Sequence, residues 1–544
     1  MEDPLLDDQP KTKLSPLREL GNVLTLAIPC IVTTAAQQVI IMSSQVFAGQ
    51  IGTNELAASA LANTWWNLMY YFLLGATFAL DTLGSQAYGS QDYNMLATWS
   101  LCACVFLSVL SIPFAAALWY SKGVAVVLFG QEEEGPVAAL VETFCRLLIP
   151  GVLPMIWGLV LQKHMQTQNA VGPPALVAGL TIGFSIVANY FGVQWFGFDG
   201  VSMASTASRV FMCVSMGIAV IFYERSQGTK WFDPLTWRLF SSRFSTALSS
   251  PILKVMLALG IPGAFMMGLE AASFELTTAM AGYLGTEQVS AHASVFAIGC
   301  MAFICGPFGI ALAATIRVGN LLGQGDAAAA RLSGWVSIAL GTSFMAVIGA
   351  LMYAYKDSIG YLFTKDDDVM VAMLATIVPL ASVYQAMNGA LGCASGVLRG
   401  MGRQEQLMVF NFVGFWGVGV LSGFLLTFHY GLGLVGLWSG ITAGVTVVMS
   451  LNVGLVALVN WESEVVKASK AAIEEERSEP STRTLTISSS IRRTVVDVAA
   501  TYHGPVYINP HSRSSYAPIS PMGTPPTGGP PGIMVHQQQD EEQL

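Results

Sequence analysis

Twelve apolar runs, each long enough to cross a bilayer, divide this chain between residues 22 and 459. A helix rises 1.5 Å per residue, so about 20 apolar residues cross the roughly 30 Å hydrocarbon layer. The runs fall at 22–47, 57–82, 96–120, 139–162, 174–193, 201–223, 254–281, 290–316, 332–354, 370–395, 408–429 and 434–459. Charged residues make up only 11% of the chain and gather in the connectors and the C-terminal region, whereas a soluble domain carries about 25%. The pattern predicts an all-α integral membrane protein of twelve transmembrane helices, with the lipid bilayer as its first partner. A net charge of −9 without a basic stripe argues against a nucleic-acid partner.

Lys and Arg set the expected orientation. With the N-terminus inside, the cytoplasmic connectors hold Lys163, Arg225, Lys230, Arg238, Arg243, Arg317, Arg331, Arg399 and Arg403. The outer connectors hold Lys122, Lys356 and Lys365, with the acidic clusters Glu132–Glu134 and Asp366–Asp368. An even number of spans returns the C-terminus to the cytoplasm. Residues 1–21 read as a cytoplasmic N-terminal segment without a cleavable signal. Residues 224–253, with aromatics among basic side chains, read as an amphipathic connector on the inner membrane surface. Residues 461–544, rich in charge, serine, proline and glycine, read as a disordered cytoplasmic tail. The eight cysteines all fall in apolar runs, which points to free thiols rather than disulfides or a metal site.

The run LALGIPGAFMMGLEAASFELTTAMA, residues 257–281, carries two carboxylates, Glu270 and Glu275. Five residues apart, they flank one side of a helix, roughly 140° from each other. A charge at mid-bilayer costs at least about 2.5–3.5 kcal/mol, so each must face a polar cavity, titrate or meet a partner. One reading is a proton or cation site; the other is a pair of structural carboxylates bonded to neighbouring helices.

The chain also repeats itself. Ile28-Pro29 falls on Ile261-Pro262 at a shift of 233, as do Ala48-Gly49 on Ala281-Gly282 and Gly52-Thr53 on Gly285-Thr286. At a shift of 234, Gly75, Ala79, Gly89 and Asp92 fall on Gly309, Ala313, Gly323 and Asp326. Such an offset spans six helices, an even number, so the repeats run parallel: an N-terminal bundle over 22–223 and a C-terminal bundle over 254–460. Transporters place their substrate site at the interface of such halves. Gln37 occupies the position of Glu270, which makes Gln37 and Gln38 the matching polar pair.

FAGQIGTNELAASALAN, ALDTLGSQAYGSQD, LEAASFE, IRVGNLLGQGDAAAAR and GVLRGMGRQ resemble, in order and spacing over about residues 20–460, the multidrug and toxic compound extrusion (MATE) transporters, in their eukaryotic branch. The resemblance implies two six-helix bundles that open to one side at a time. It also implies antiport, with a proton (or Na⁺ in some members) entering as an organic solute leaves. The family's two seventh-helix acids map onto Glu270 and Glu275, its second-helix Asn onto Asn63, and the Asp at that helix's end onto Asp81. The chain departs from the family at Asn388, where an acid is usual, at Ala297 in place of a Glu, and at Ala271 and Ala272 in place of two tryptophans. Coupling would then rest on Glu270 and Glu275. Tyr384 and Trp66, the latter beside Trp65, are the aromatic candidates for holding a cationic or neutral solute.

Asp81 reads either as a gate or as a carboxylate securing a tight helix end; Pro29, Pro262 and Arg317 are the other gating or structural candidates. Glu142 lies one turn from Arg146, an expected local pair, while Arg209 would snorkel, pair or meet an anionic solute. His164 and His292 read as connector-edge residues. No phosphate-cradling loop, metal spacing or nucleophile with a placed base stands out, so an enzyme is not expected and an ion gradient is the expected source of energy. The alternatives are a Na⁺-coupled exporter and a lipid or oligosaccharide flippase, the latter disfavoured by few intramembrane cations. Plasma membrane and vacuolar membrane both fit.

Overall fold

The computed structural model describes residues 15–127, 132–133, 135–228, 244–364 and 368–476. All regular structure among them is helical: α1 (Pro16–Ile51), α2 (Thr53–Gly89), α3 (Tyr93–Trp119), α4 (Pro136–Thr167), α5 (Gly172–Phe196), α6 (Phe198–Ser226), α7 (Ser250–Leu284), α8 (Thr286–Gly323), α9 (Ala327–Ala354), α10 (Asp368–Gly400), α11 (Gln404–His429), α12 (Gly433–Leu458) and α13 (Trp461–Glu476). A short helix, Ser121–Val127, follows α3. Eleven of these helices are long and apolar enough to cross a membrane. The remaining expected span lies in α2, which has the length, 37 residues, but also carries Asn54, Glu55, Asn63, Asn67, Asp81 and Gln86. Helix α2 can carry Asn63, Asn67, Asp81 and Gln86 because it packs against α3, α4, α7 and α8, which shield these groups from lipid, while Asn54 and Glu55 lie in its first turn, before the apolar run.

The helices are longer than the apolar runs. Helix α1 begins at Pro16, inside the segment read as a cytoplasmic N-terminal one, and Glu19 in its first turn meets Arg317 of α8 at 2.9 and 3.1 Å. The C-terminal boundary is corrected too: α13 begins at Trp461, where a disordered tail was expected. Trp461 and Val465 are buried against α8 and α9, and Glu464 binds Arg403 at 2.6 Å, so this stretch buries enough to stay ordered. The rest of the expected tail, and connector residues 229–243, lie outside the described residues.

Proline acts locally. Pro150 sits in a 3₁₀ turn, Ile149–Gly151, within α4, and α8 breaks at Cys305 and Gly306 before Pro307. Pro29 and Pro262 lie inside α1 and α7, which stay helical on both sides of them. Helix α11 contains π-helical stretches at Phe412–Val420 and Leu425–His429, the kind of widened turn that re-aims side chains at functional sites.

The internal repeat is visible as reciprocal contacts. Helix α2 crosses α7 as α1 crosses α8, and α2 crosses α8. A Cβ on Gly89 would overlap the carbonyl oxygen of Asn320, and one on Gly323 would overlap that of Gln86. These are the same contact seen from each half, since 89 + 234 = 323 and 86 + 234 = 320. Gly75 likewise meets Gly263 of α7, and its counterpart Gly309 meets Ile31 of α1. Asp92 caps α3 by accepting from Met95 N at 3.0 Å, and Asp326 caps α9 by accepting from Ala329 N at 2.9 Å. Gln91 and Gly325, with φ of 64° and 85°, occupy the same left-handed position after their helices.

Candidate functional site

Between the two sets of helices lies a cavity of about 320 Å³. Helices α1, α2 and α4 line it from the first half, and α7, α8, α10 and α12 from the second. Glu270 and Glu275 both face it, together with Gln37, Gln38, Tyr384 and Asn388. The expected acids and amides are thus brought to one space from three helices.

Glu270 is held from α11. Asn411 Nδ2 donates to Glu270 Oε2 at 3.1 Å and to the carbonyl of Met266 at 3.2 Å. Trp416, one turn further, donates Nε1–H to the carbonyl of Leu269 at 2.9 Å. Asn411 stands where the π-helical stretch begins, so the widened turn places both side chains against the glutamate's own turn. Asn411 escaped the sequence reading because an amide in the run MVFNFVGF carries no charge to betray it. On the facing side, Tyr70 donates its hydroxyl to Gln37 Oε1 at 3.4 Å, so the residue equivalent to Glu270 in the first half is also tied to a neighbour.

The aromatic wall differs from expectation. Trp66 does not line the cavity. Its ring packs edge-on against Phe114 at 5.1 Å and lies under the Arg209 guanidinium at 3.9 Å, while Trp65 donates to the carbonyl of Ala117 at 3.2 Å. Asn63 is buried beside them, its Nδ2 without a partner, away from the cavity lining. Asn67, Tyr70 and Tyr71 take the lining positions on α2 instead. Trp438 of α12 faces the cavity and meets Tyr384 edge-on at 5.9 Å. Trp438 and Tyr384 therefore provide the ring faces lost at Ala271 and Ala272. His292 is fully buried behind them, 3.1 Å from Thr278 Oγ1 and stacked on Phe296, not at a connector edge.

One end of the cavity is closed by charge. Asp81 is fully buried, and Lys163 of α4 donates to its Oδ2 at 2.5 Å. The carboxylate at this helix end is thus secured by a side chain of another helix. Thr82 next to it donates to the carbonyl of Arg399 at 2.5 Å, and Gln404 Nε2 donates to Thr82 Oγ1 at 2.7 Å. Gln86 donates to the carbonyl of Gly400 at 3.0 Å. These bonds join α2 to α10 and α11, across the halves. Lys163 and Arg399, placed in connectors by their positions, are 3% and 4% exposed and line the cavity. Their helices run on to Thr167 and Gly400, past the apolar runs, and carry both inside. The lining therefore holds two buried cations, where few intramembrane cations were expected. Arg317 lies near this end, in its bidentate pair with Glu19. Arg146 pairs with Glu142 at 2.5 Å on the surface. His164 is buried too, its Nδ1 2.9 Å from Ser100 Oγ and its Nε2 3.4 Å from Glu224.

All eight cysteines are free thiols. Among the described residues no group of His, Cys, Asp and Glu could hold a metal ion.

Comparison with known proteins places this geometry. The MatE family profile matches the chain twice, at residues 29–191 and 262–425, an offset of 262 − 29 = 233 that equals the internal repeat. Protein DETOXIFICATION 16 of Arabidopsis thaliana is 30% identical over 476 residues, covering 86% of this chain and 92% of that protein. Multidrug and toxin extrusion protein 1 of Homo sapiens is 30% identical over 456 residues, covering 83% and 77%. The crystal structure of the eukaryotic MATE transporter AtDTX14 superposes with a TM-score of 0.73 at 25% identity, covering 84% of this chain and 99% of that one. With a family profile on both halves, reciprocal packing between them and a shared cavity at their interface, the chain belongs to the MatE family of multidrug and toxin extrusion transporters.

Proposed function

We propose that the protein exports small organic solutes from the cytoplasm in exchange for protons, by alternating exposure of the cavity between its halves. The observation that carries this reading is the position of Glu270: a carboxylate facing the shared cavity and tied to α11 through Asn411. A carboxylate there can hold either a proton or the cationic part of a solute, so loading one releases the other. Glu275 adds a second acid on the same helix. The gradient would be the energy source, with no cofactor.

The conformation supports the alternating part. The end carrying the turns after α2 and α8 is sealed by the Gly89–Asn320 and Gly323–Gln86 contacts and by the bonds from Thr82 and Gln86 to α10. Toward the other end of α7, Glu275 and Tyr283 are exposed. With basic connectors placing the sealed end in the cytoplasm, this is a cavity closed to the cytoplasm. Both termini are then cytoplasmic, in a plasma or vacuolar membrane.

The test is flux in proteoliposomes under an imposed pH gradient, with a fluorescent organic cation, for the wild type beside Glu270→Gln. Gradient-dependent flux in the wild type and its loss in the variant are expected. Flux that follows a Na⁺ gradient alone would replace the ion, and undiminished proton-coupled flux in Glu270→Gln would remove the mechanism.

A further inference from the structure

The cavity that holds two acids also holds a cation with nothing to bind. The Arg399 guanidinium lies over the Phe78 ring, 4.2 Å from Cζ to the centroid, and Lys163 Nζ lies 5.2 Å from the same ring. Lys163 is committed to Asp81. Arg399 is not committed: its buried Nε has no hydrogen-bond partner, and its guanidinium forms no ion pair among the described residues. Its carbonyl is used by Thr82, which fixes the backbone and leaves the side chain to face the cavity. Asp81 and Glu270 are the carboxylates whose fields reach it. A buried arginine left without an acceptor is costly, and its planar fork of donors is shaped for a carboxylate, sulfonate or phosphate.

We propose that Arg399, seated on Phe78, is an anion-accepting subsite of the cavity, so that the preferred solutes are amphoteric: an aromatic cationic body toward Glu270 and Trp438, and a carboxylate or similar anionic group on Arg399. This deepens the export reading and rests on it. Phe78 keeps the guanidinium from turning away. The Asp81–Lys163 pair neutralises its own charges, which leaves Arg399 as the uncommitted positive group of the lining. A solute with both charges would satisfy both ends of the cavity; a plain cation would satisfy only the acidic end.

Two rhodamine dyes separate these cases. Rhodamine 110 carries a free carboxylate, and rhodamine 123 is the same cationic ring system with that carboxylate masked as a methyl ester. Their affinities for the purified full-length protein in nanodiscs are read by fluorescence anisotropy. The expected result is at least tenfold tighter binding of rhodamine 110 by the wild type. In Arg399→Gln the ratio should fall toward one, and in Arg399→Lys, which keeps the charge without the fork, it should be intermediate. Each variant is first checked for a monodisperse elution profile; should Arg399→Gln not fold, the wild-type ratio and Arg399→Lys still decide. Equal wild-type affinities would overturn the subsite, as would a ratio that survives Arg399→Gln; both mean that Arg399 only balances Asp81 and Glu270. If rhodamine 123 is still driven across by a pH gradient in that case, the export reading stands without the subsite. A wild type that binds neither dye would overturn the inference together with the organic-solute reading.

Discussion

Asn411 and Glu270 meet at 3.1 Å across the α7–α11 contact, the amide donating to the carboxylate. The bond fixes one oxygen of the acid and leaves the other free for a proton or a solute. Asn411→Leu removes the donor and keeps the same branched skeleton of side-chain heavy atoms. A hydrogen bond to a charged group contributes about 1.5–3 kcal/mol, so gradient-driven flux is expected to fall at least tenfold. Thermal stability should change little, because the cavity lets water replace the lost donor. Flux and melting temperature measured together check this; equal losses in both would mean that Asn411 serves packing alone.

The Asp81–Lys163 pair makes a prediction of the opposite kind. Both groups are buried, so removing one leaves the other charged and alone, which costs about 3–5 kcal/mol. Asp81→Asn is expected to lower the melting temperature strongly in detergent. The double variant Asp81→Asn with Lys163→Met removes both charges and should recover most of that loss. A double variant no better than the single would show that the pair contributes through something other than mutual neutralisation.

Glu270 and Glu275 were legible in the sequence because a carboxylate inside an apolar run has an insertion cost that must be offset. The repeat was legible because the Gly89–Asn320 and Gly323–Gln86 contacts admit no side chain at either glycine. Asn411, Trp416 and Trp438 were not, since an amide or an indole carries no charge and these three lie outside the repeat and family motifs that drew out Gln37, Asn63 and Asn388. Lys163 and Arg399 were misplaced for a geometric reason. The apolar runs end at bilayer thickness, whereas α10, with 33 residues, is about 50 Å long at 1.5 Å per residue. Helices that long carry charged residues past the edge of the apolar run while keeping them inside the packing. Trp66 was misassigned because position on α2 does not tell which face meets Arg209 and which meets the cavity.

The reciprocal glycine contacts predict matched effects. Gly89→Ala and Gly323→Ala each place a methyl against a backbone carbonyl of the other half, where no flexible side chain can yield. Each should open the sealed end and reduce flux severely, to a similar degree. Gly179→Ala in α5, where a Cβ meets nothing within 4 Å, is the control and should transport normally. Labelling of a cysteine introduced at Ser90, next to Gly89, by a membrane-impermeant thiol reagent reports the opening while keeping the Gln86 bond to Gly400. Unchanged labelling in both glycine variants would mean that the close approach is not what holds the end shut.

Helix α13 predicts where the chain can be cut. Trp461 packs its ring on Gly334 of α9, 3.1 Å from where a Cβ would stand. Glu464, itself buried, takes Arg403 at 2.6 Å and Lys467 at 2.8 Å. Arg403 sits in the turn between α10 and α11, beside the Arg399, Gly400 and Gln404 bonds that close the cavity. A chain ended after Glu476 keeps all of these contacts and is expected to transport as the full chain does. A chain ended after Asn460 loses them: it uncovers the apolar surface under Trp461 and Val465 and leaves Arg403 without its carboxylate. It should melt several degrees lower and leak solute through the end that Arg403 helps to hold. Glu464→Gln in the full chain separates the two contributions, because it removes the ion pair and keeps the packing. If that variant leaks while its melting temperature stays near the wild type, α13 acts on the closed end through Arg403; if only the truncation has an effect, it acts through the buried tryptophan.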